Sequence, residues 1–193
     1  MGPRISLITV SFNSEKTIER TLQSVAAQTY KNVEHIVLDG ASSDGTVAIV
    51  RKHLNAIAHF SSAPDAGLYD AINKGLGIAR GEVIGLMHSD DFFADEHVLA
   101  NIAAEFSRPG VDGVYGDAAF FRAHSPQKNF RVYTSANFSV ERLCWGWMPA
   151  HTTLYLRRSV YERLGKYKTN YAIAADFDFV CRVFLAGDIC VRY

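Results

Sequence analysis

An apolar, β-branched segment, then a polar loop, then a helical pattern recur in the first half of this 193-residue chain. Residues Ile5 to Val10 run into a loop of Ser and Asn, after which apolar residues recur at helical spacing from Ile18 to Ala26. Val33 to Leu38, the loop Asp39 to Gly45 and the helical segment Thr46 to Leu54 form the next unit. Consecutive units of this kind build parallel sheets with right-handed crossovers. The sequence therefore predicts an α/β fold with a mostly parallel central sheet flanked by helices.

Two further units extend this pattern. Ile57 to Phe60 is a short predicted strand, and a helix follows with its apolar face running from Leu68 to Ala79. Val83 to Met87 is a fourth predicted strand, and it ends at a His-Ser pair followed by Asp90 and Asp91. Open α/β sheets bind their ligands at the carboxyl ends of the strands. We therefore expect a functional site at this end of the sheet.

The second half of the chain has a different pattern. Two segments that alternate apolar and polar residues, Gly113 to Ala123 and Asn129 to Thr134, predict a small antiparallel part or edge strands. The other predicted elements are a helix at Glu96 to Phe106, a strand at Thr152 to Leu156, helices at Arg158 to Leu164 and Ala175 to Ala186, and a last strand at Ile189 to Tyr193 that enters the core. We expect one domain over residues 1–193, in which residues 1–95 and 96–193 share one sheet, and it is open whether the natural chain continues further.

Composition excludes several classes of protein. Hydrophobic residues make up 48% and charged residues 21%, as in a soluble globular domain. Lys and Arg equal Asp and Glu at 20 each, which argues against a nucleic-acid partner. The cysteines Cys144, Cys181 and Cys190 have no CxxC spacing and favour a reducing compartment. With no signal peptide and no window of about 18 apolar residues, we expect a cytoplasmic protein without a transmembrane segment, whose membrane contact, if any, is peripheral at the inner face.

Two adjacent carboxylates end the fourth predicted strand. Asp90 and Asp91 repel each other unless a cation lies beside them, and one or two carboxylates plus phosphate oxygens are a common site for Mg²⁺ or Mn²⁺. An Asp in this place is also a good cap for the helical segment that follows. The pair by itself leaves metal binding and helix capping open.

A loop rich in Gly, Ser and Asp follows the second predicted strand, at Asp39 to Thr46. Its glycines allow tight turns, and its carboxylates and hydroxyls, such as that of Ser42, offer hydrogen-bond partners for a base or a ribose. The chain contains neither GxGxxG nor GxxxxGK[ST], so neither the dinucleotide fingerprint nor the P-loop is supported.

The order of four segments is more specific than any one of them. These are TVSFN at Thr9 to Asn13, DGASSDGT at Asp39 to Thr46, DAGLYDAINKGLGIARGE at Asp65 to Glu82 and SDD at Ser89 to Asp91. Over roughly residues 4 to 186 the chain resembles family 2 glycosyltransferases of the GT-A fold, particularly bacterial enzymes that build exopolysaccharide, capsule or O-antigen units. The resemblance implies a Rossmann-like GT-A sheet with a nucleotide-binding half, residues 1–95, and an acceptor-side half, residues 96–193.

The resemblance also assigns roles to matching residues. The residues that it places around the nucleotide are Thr9, Val10, Ser11, Asn13, Asp39, Ser42 and Asp90. Asp39 would bond the Watson-Crick face of the base, and Asp91 would bind the Mn²⁺ or Mg²⁺ that bridges the diphosphate. His151 would complete the metal shell or contact the diphosphate, and a hydrogen-bonded structural histidine is the equal alternative. His88 is the weaker candidate, since strand alternation sends it to the opposite face from Ser89.

An inverting transfer needs a base that takes the proton of the acceptor hydroxyl, and a carboxylate is the usual group. In the enzymes that the chain resembles, an acidic residue that opens a late helix has this role, and Asp176 matches it. Asp178 lies two residues on, so on a helix the two side chains point different ways. An acidic residue that only complements the helix dipole is the alternative.

Four further side chains are weaker candidates for sugar, acceptor or phosphate contacts. The aromatic faces of Trp145 and Trp147 suit sugar rings, although two Trp are more often simply packed. Lys74 and Arg80 precede the acidic pair and could neutralise a diphosphate, with solvated charges on a helix face as the alternative.

Together these features predict a metal-dependent, inverting glycosyltransferase that moves a hexose from a nucleotide-diphosphate sugar to a saccharide or lipid-linked acceptor in cell-surface polysaccharide synthesis. UDP is the commoner nucleotide of such donors. One alternative is a nucleotide-sugar-binding module without catalysis. Another is a sugar nucleotidyltransferase, whose first loop is usually rich in Gly with Arg and Lys, whereas this chain has SFNSEKT. The sequence does not define the donor sugar, the acceptor or the oligomeric state.

Overall fold

The computed structural model describes the backbone of residues 2–122 and 125–193, and the side chains of residues 2–121 and 131–193. The strands of this part of the chain are β1 (Ile5–Ser11), β2 (Val33–Asp39), β3 (His59–Ser62), β4 (Val83–His88), β5 (Gly113–Val114), β6 (Ala118–Arg122), β7 (Ser125–Tyr133), β8 (Tyr155–Arg157) and β9 (Val191–Arg192). The α-helices are α1 (Ile18–Ala26), α2 (Thr46–Lys52), α3 (Leu68–Ile78), α4 (Val98–Phe106), α5 (Arg158–Leu164) and α6 (Ala175–Leu185). Short 3-10 turns lie at Leu54–Ala56, Val140–Trp145 and His151–Thr153.

A seven-stranded sheet in the order β3-β2-β1-β4-β8-β5-β9 organises the fold. The strands β1 to β4 are mutually parallel, β8 runs antiparallel to both β4 and β5, and β9 is parallel to β5. The strands β6 and β7 form a separate antiparallel pair. This architecture confirms the predicted α/β fold with a mostly parallel sheet and a small antiparallel part, and strands from both halves of the chain share the large sheet.

Alternating side chains of β1 supply both faces of the sheet. Leu7 points into a cluster with Leu99 of α4, while Ile8 points into the opposite cluster with Ile72 of α3 and Phe179 of α6. Every residue of β1 is buried, as expected for a central parallel strand covered on both faces. Helices therefore pack against both faces of the sheet and fix the positions of the strand ends.

The segment predicted as a strand at Gly113 to Ala123 is two strands, β5 and β6, separated by residues 115–117. Its last residue, Ala123, lies outside the described residues. The strand predicted at Asn129 to Thr134 falls within β7 except for its last residue, and β3 begins two residues later than predicted.

The last two predicted strands also differ from the structure. The start of the segment Thr152 to Leu156 is a 3-10 turn, and β8 forms only from Tyr155. In the final segment, Ile189 and Val191 pack against the core as predicted, but β9 covers only Val191–Arg192 and pairs with the two-residue strand β5 at the edge of the sheet, and Tyr193 is 60% exposed. A two-residue partner offers too few ladder bonds for a longer strand.

Replacing Gly85 by Ala is expected to destabilise the protein by about 1–3 kcal/mol. Gly85 lies in β4, and a methyl group there would come within 2.0 Å of the ring of the buried Tyr155. Denaturant unfolding measures the loss. The matched control is Gly77→Ala in α3, where the new carbon meets only the Lys166 ammonium at 3.6 Å. That exposed helical site should instead gain about 0.5–1 kcal/mol. Equal unfolding midpoints for the two variants would contradict this account of Gly85.

Candidate active site

A cleft of about 550 Å³ opens at the carboxyl ends of β1 and β4. Its lining residues are Val10, Ser11, Phe12, Ser14, Gly40, Asp65, Gly67, Leu68, Ala71, His88, Ser89 and Asp90. This is the edge of the sheet at which the sequence predicts a site, and three of the predicted nucleotide contacts, Val10, Ser11 and Asp90, line the cleft.

Asp39 lies directly behind the cleft, at the end of β2, and is only 3% exposed. Its carboxylate accepts hydrogen bonds from the hydroxyl of Ser11 at 3.2 Å, from the backbone N–H of Ser42 at 2.9 Å and from the hydroxyl of Ser62 at 2.6 Å. These bonds hold the ends of three neighbouring strands in register. Asp39 is therefore a fixed, buried carboxylate next to the lining residues Ser11 and Gly40.

The loop after β1 is tied to the loop after β2. Asn13 has a positive φ of 49°, its backbone N–H donates to the Ser42 hydroxyl at 2.8 Å, and its side-chain oxygen accepts from the Ser43 N–H at 2.9 Å. The polar side chains of these two loops thus fix one wall of the cleft.

Thr9 is placed differently from the rest of the predicted nucleotide contacts. Its side chain is fully buried, and its hydroxyl lies 3.0 Å from Nε2 of His35. Burial lowers the pKa of His35 to about 4, so this imidazole is neutral. The Thr9 hydroxyl therefore contacts a buried side chain within the sheet and does not line the cleft.

The two adjacent carboxylates face different surroundings. Asp90 is exposed and lines the cleft, whereas Asp91 is half-buried and its carboxylate accepts the backbone N–H of His88 at 3.3 Å. Burial raises the pKa of Asp91, and the charge of Asp90 raises it further. A cation beside the pair would relieve this repulsion, and of the two carboxylates the structure turns Asp90 toward the cleft.

A hydrogen-bonded row of four side chains reaches the same cleft through His88, the member that lines it. Oδ2 of Asp176 lies 3.1 Å from Nδ1 of His151, and Nε2 of His151 lies 2.7 Å from Nε2 of His88. The hydroxyl of Tyr69 donates to the other carboxylate oxygen of Asp176 at 3.0 Å. The bond from His151 lowers the pKa of Asp176 to about 2 against the opposing effect of burial, so this carboxylate is ionised at neutral pH.

Four elements bring this row together. His88 ends β4, His151 begins a 3-10 turn, Tyr69 lies in the first turn of α3, and Asp176 lies in the first turn of α6. Ala174 precedes α6 with a left-handed φ of 70°, which redirects the chain into the helix. The partners are distant in sequence, so the row depends on the tertiary fold.

His88, the weaker histidine candidate of the sequence, lines the cleft together with Ser89. The strand ends at His88 and the chain turns immediately, so strict alternation no longer governs the next side chain. Sequence reasoning missed Tyr69, whose only signal was its place within the DAGLYDAINKGLGIARGE segment.

Asp178 is separated from the row. Its carboxylate forms ion pairs with Lys168 at 2.7 Å and with Arg182 at 2.9 Å. A residue two positions after Asp176 on a helix points away from it. Asp178 therefore has a role in holding α6 to its neighbours, and Asp176 is the carboxylate that reaches His151.

The remaining predicted contacts lie outside the lining of the cleft. Trp145 is 88% exposed, and Trp147 packs on Phe138 at 5.6 Å, which is the packed alternative. Lys74 forms an ion pair with Asp70 at 2.9 Å.

Arg80 lies at the amino ends of the strands, whereas the cleft lies at their carboxyl ends. Its backbone N–H donates to Glu34, at the start of β2, at 2.7 Å. The cause is the path of α3, which leads from the cleft to the amino ends of the strands. The structure therefore does not bring Arg80 to the predicted diphosphate site.

Across residues 2–122 and 125–193, no helix is long and apolar enough to span a bilayer. Within the same residues, no three His, Cys, Asp or Glu side chains are grouped so that they could hold a metal ion.

Two relatives are similar to nearly the whole chain. An uncharacterized glycosyltransferase of Mycobacterium tuberculosis is 34% identical over 95% of this chain and 70% of its own length. A PGL/p-HBAD biosynthesis glycosyltransferase of Mycobacterium bovis is 29% identical over 100% of this chain and 74% of its own length.

Solved structures share the fold. The mannosyltransferase PcManGT from Pyrobaculum calidifontis, in complex with GDP-Man and Mn²⁺, is 22% identical with a TM-score of 0.76, and the match covers 100% of this chain and 55% of PcManGT. S. aureus TarS 1-349, in complex with UDP-GlcNAc, is 23% identical with a TM-score of 0.79 over 97% of this chain and 55% of TarS 1-349. The chain thus spans about half the length of these two structures.

A family match covers most of the chain. Residues 6–165 match the family described as Glycosyl transferase family 2. This range contains the cleft, the acidic pair and both histidines of the row. The chain belongs to glycosyl transferase family 2.

Proposed function

We propose that this chain is the donor-binding and catalytic part of a metal-dependent, inverting glycosyltransferase. It transfers a sugar from a nucleotide-diphosphate donor, with UDP as the first candidate, to a saccharide or lipid-linked acceptor of the cell surface. The observation that carries the proposal is the placement of Asp90 and His88 in the lining of one cleft at the carboxyl ends of the strands, with His151 and Asp176 hydrogen-bonded in sequence behind His88. Family membership supports the reaction class.

The nucleotide would occupy the cleft between the ends of β1 and β2. Val10, Ser11 and Phe12 line that side, and the fixed carboxylate of Asp39 lies behind it. A small set of rigid polar groups at the end of an apolar strand is a common way to orient a base. Asp90 lies at the other side of the cleft, where a ribose or diphosphate would follow.

The donor groups present fit a divalent ion. The Asp90 and Asp91 carboxylates are hard oxygen donors, and Nε2 of His151 is a nitrogen donor whose ring is oriented by Asp176. Asp91 and His151, whose charges interact, are the two residues that would hold the ion, together with oxygens of the donor. When bound, the ion neutralises the charge that develops on the departing diphosphate. Two related folds are recorded with Mn²⁺, PcManGT and glucosyl-3-phosphoglycerate synthase of Mycobacterium tuberculosis.

Asp176 would take the proton of the acceptor hydroxyl. The acceptor oxygen attacks the anomeric carbon from the face opposite the diphosphate, the carbon–oxygen bond to the diphosphate breaks, and an α-linked donor gives a β-linked product. Tyr69 and His151 hold the two carboxylate oxygens in place. Because Asp176 is a weak base in the free protein, positioning of the acceptor supplies much of the rate.

Titration calorimetry with UDP and with GDP, each with and without Mn²⁺, tests this function. One nucleotide should bind in a metal-dependent way, and Asp91→Ala should weaken that binding by at least about tenfold. Asp188→Ala is the matched control, because Asp188 is an exposed carboxylate paired with Arg163. Failure of both nucleotides to bind would contradict the proposal.

The anomeric configuration of the product distinguishes an inverting mechanism from a retaining one. Nuclear magnetic resonance of the anomeric proton should show inversion, and a retained configuration would overturn the direct displacement. Nucleotide binding without any transfer or hydrolysis of the donor would instead identify a nucleotide-sugar-binding module.

A further inference from the structure

We propose that a second pocket, next to the cleft, binds the alkyl chain of the acceptor, so that this protein glycosylates an amphiphile rather than a free saccharide. The pocket has a volume of about 300 Å³ and lies between residues 66–70 and residues 169–173. We call it the alkyl pocket. The inference rests on the proposed function, since it places the acceptor relative to Asp176, the proposed base.

The alkyl pocket adjoins both the cleft and the proposed base. Gly67 and Leu68 line both cavities. Tyr69 lines the alkyl pocket, and its hydroxyl donates to Asp176 at 3.0 Å. An acceptor whose apolar part occupies this pocket would therefore place a neighbouring hydroxyl near Asp176 while the donor occupies the cleft.

The lining of the alkyl pocket leaves large apolar side chains in contact with water. Ile173 is 84% exposed, and Leu68 and Tyr171 are also exposed. The charged residue of the lining, Asp70, is already paired with the Lys74 ammonium at 2.9 Å. Covering exposed apolar side chains with an apolar ligand is favourable, whereas a sugar ring needs hydrogen-bond partners for its hydroxyls. The lining therefore suits an alkyl chain better than a sugar.

One wall of the alkyl pocket, residues 169–173, is anchored on both sides. The side chain of Asn73 in α3 donates to the carbonyl of Tyr167 at 2.8 Å and accepts the Tyr167 N–H at 3.0 Å. On the other side, Ala174 has a left-handed φ of 70° and leads directly into α6. A wall that is fixed before the ligand arrives reduces the entropy lost on binding. A cavity of about 150 Å³ holds a benzene ring, so a pocket of about 300 Å³ has room for several methylene groups.

Alkyl glycosides that differ in chain length test the proposal. Methyl and octyl β-glycosides of glucose, galactose and mannose are titrated into the protein below the concentration at which the octyl compounds form micelles, with UDP or GDP and Mn²⁺ present. Because each fully buried methylene group increases affinity by up to about fourfold, we expect the octyl glycosides to bind at least about tenfold more tightly than the methyl glycosides. The δ1 methyl resonance of Ile173, identified by its absence from Ile173→Ser, should shift when an octyl glycoside is added.

The variant Ile173→Ser distinguishes the pocket from general adsorption. Ile173 is exposed, so the substitution should leave the fold intact. We expect it to weaken the binding of octyl glycosides by about three- to tenfold and to leave the binding of methyl glycosides unchanged. Leu54→Ser is the matched control, because Leu54 is another exposed aliphatic residue and lies in the 3-10 turn after α2.

The outcomes separate this inference from the function on which it rests. Equal affinities for octyl and methyl glycosides, with metal-dependent nucleotide binding intact, would overturn the alkyl pocket alone. An equal loss in Ile173→Ser and Leu54→Ser would also overturn it, since the octyl chain would then adsorb to any exposed apolar side chain. If neither nucleotide binds, the proposed function fails, whereas a dependence on chain length that is lost in Ile173→Ser still supports the pocket.

Discussion

Replacing Asp176 by Asn is expected to reduce sugar transfer by about 10²–10⁴-fold, the usual contribution of a general base, while nucleotide affinity stays close to that of the wild type. The amide has nearly the same shape as the carboxylate and can still accept the Tyr69 hydroxyl, which lies 3.0 Å from Oδ1. It cannot take the proton of the acceptor. The loss should therefore appear in turnover, measured as release of nucleoside diphosphate with acceptor present.

Asp178→Asn is the matched control for this experiment. It removes the same charge two residues further along α6, from a carboxylate paired with Lys168 and Arg182. A modest loss of stability with nearly unchanged turnover per folded molecule is the expected result. If Asp176→Asn kept full turnover, or if Asp178→Asn lost as much, the base would have to lie elsewhere.

Tyr69→Phe isolates the orienting contact. It removes one hydrogen bond to Asp176 and leaves the pair with His151 intact. We expect a smaller loss of turnover than for Asp176→Asn, because a misplaced base still acts in a fraction of encounters.

The strands and helices of residues 1–95 are predicted well from the sequence. In each of these elements the apolar residues follow one pattern, either the continuous run of a buried strand or the spacing of a helix. The run Ile5 to Val10 and the helical spacing from Ile18 to Ala26 fall almost on β1 and α1. Polar residues at the strand ends then place the site at one edge of the sheet without any knowledge of the packing. Local pattern is enough here, since helices cover both faces of the central strands.

The row of side chains beside the cleft could not be predicted in the same way. His88 and His151 are 63 residues apart, and Tyr69 and Asp176 are 107 residues apart. No periodicity within one element reports such contacts. The direction of a single side chain at a strand end is equally open, so alternation does not predict that His88 and Ser89 both line the cleft.

Isolated charges and aromatic residues gave the least reliable site predictions. Arg80 follows a helix that crosses the sheet, so closeness in sequence to Asp90 does not mean closeness in space. Trp147 packs on Phe138 within an aromatic group, where burial of a large ring contributes stability without a ligand. Residue type alone does not distinguish these roles.

Replacing Phe179 by Ala is expected to lower the free energy of unfolding by about 3–5 kcal/mol. Phe179 is fully buried in α6, its ring stacks on Tyr161 at 4.9 Å and contacts Tyr167 at 4.7 Å, and the Arg182 guanidinium lies over it at 4.9 Å. Truncation removes all of these contacts and leaves a cavity. Because domains of this size are stable by about 5–15 kcal/mol, this one change is a large fraction of the total.

Phe179 also links the core to the site, since it lies three residues after Asp176 on α6. Denaturant unfolding gives the stability, and turnover measured well below the new midpoint shows whether Asp176 is still held in place. Leu185→Ala in the last turn of the same helix is the control, because that side chain is 65% exposed and should change stability by less than about 0.5 kcal/mol. If both variants unfolded at the same denaturant concentration, α6 would not depend on the aromatic stack, and the position of Asp176 would need another source of rigidity.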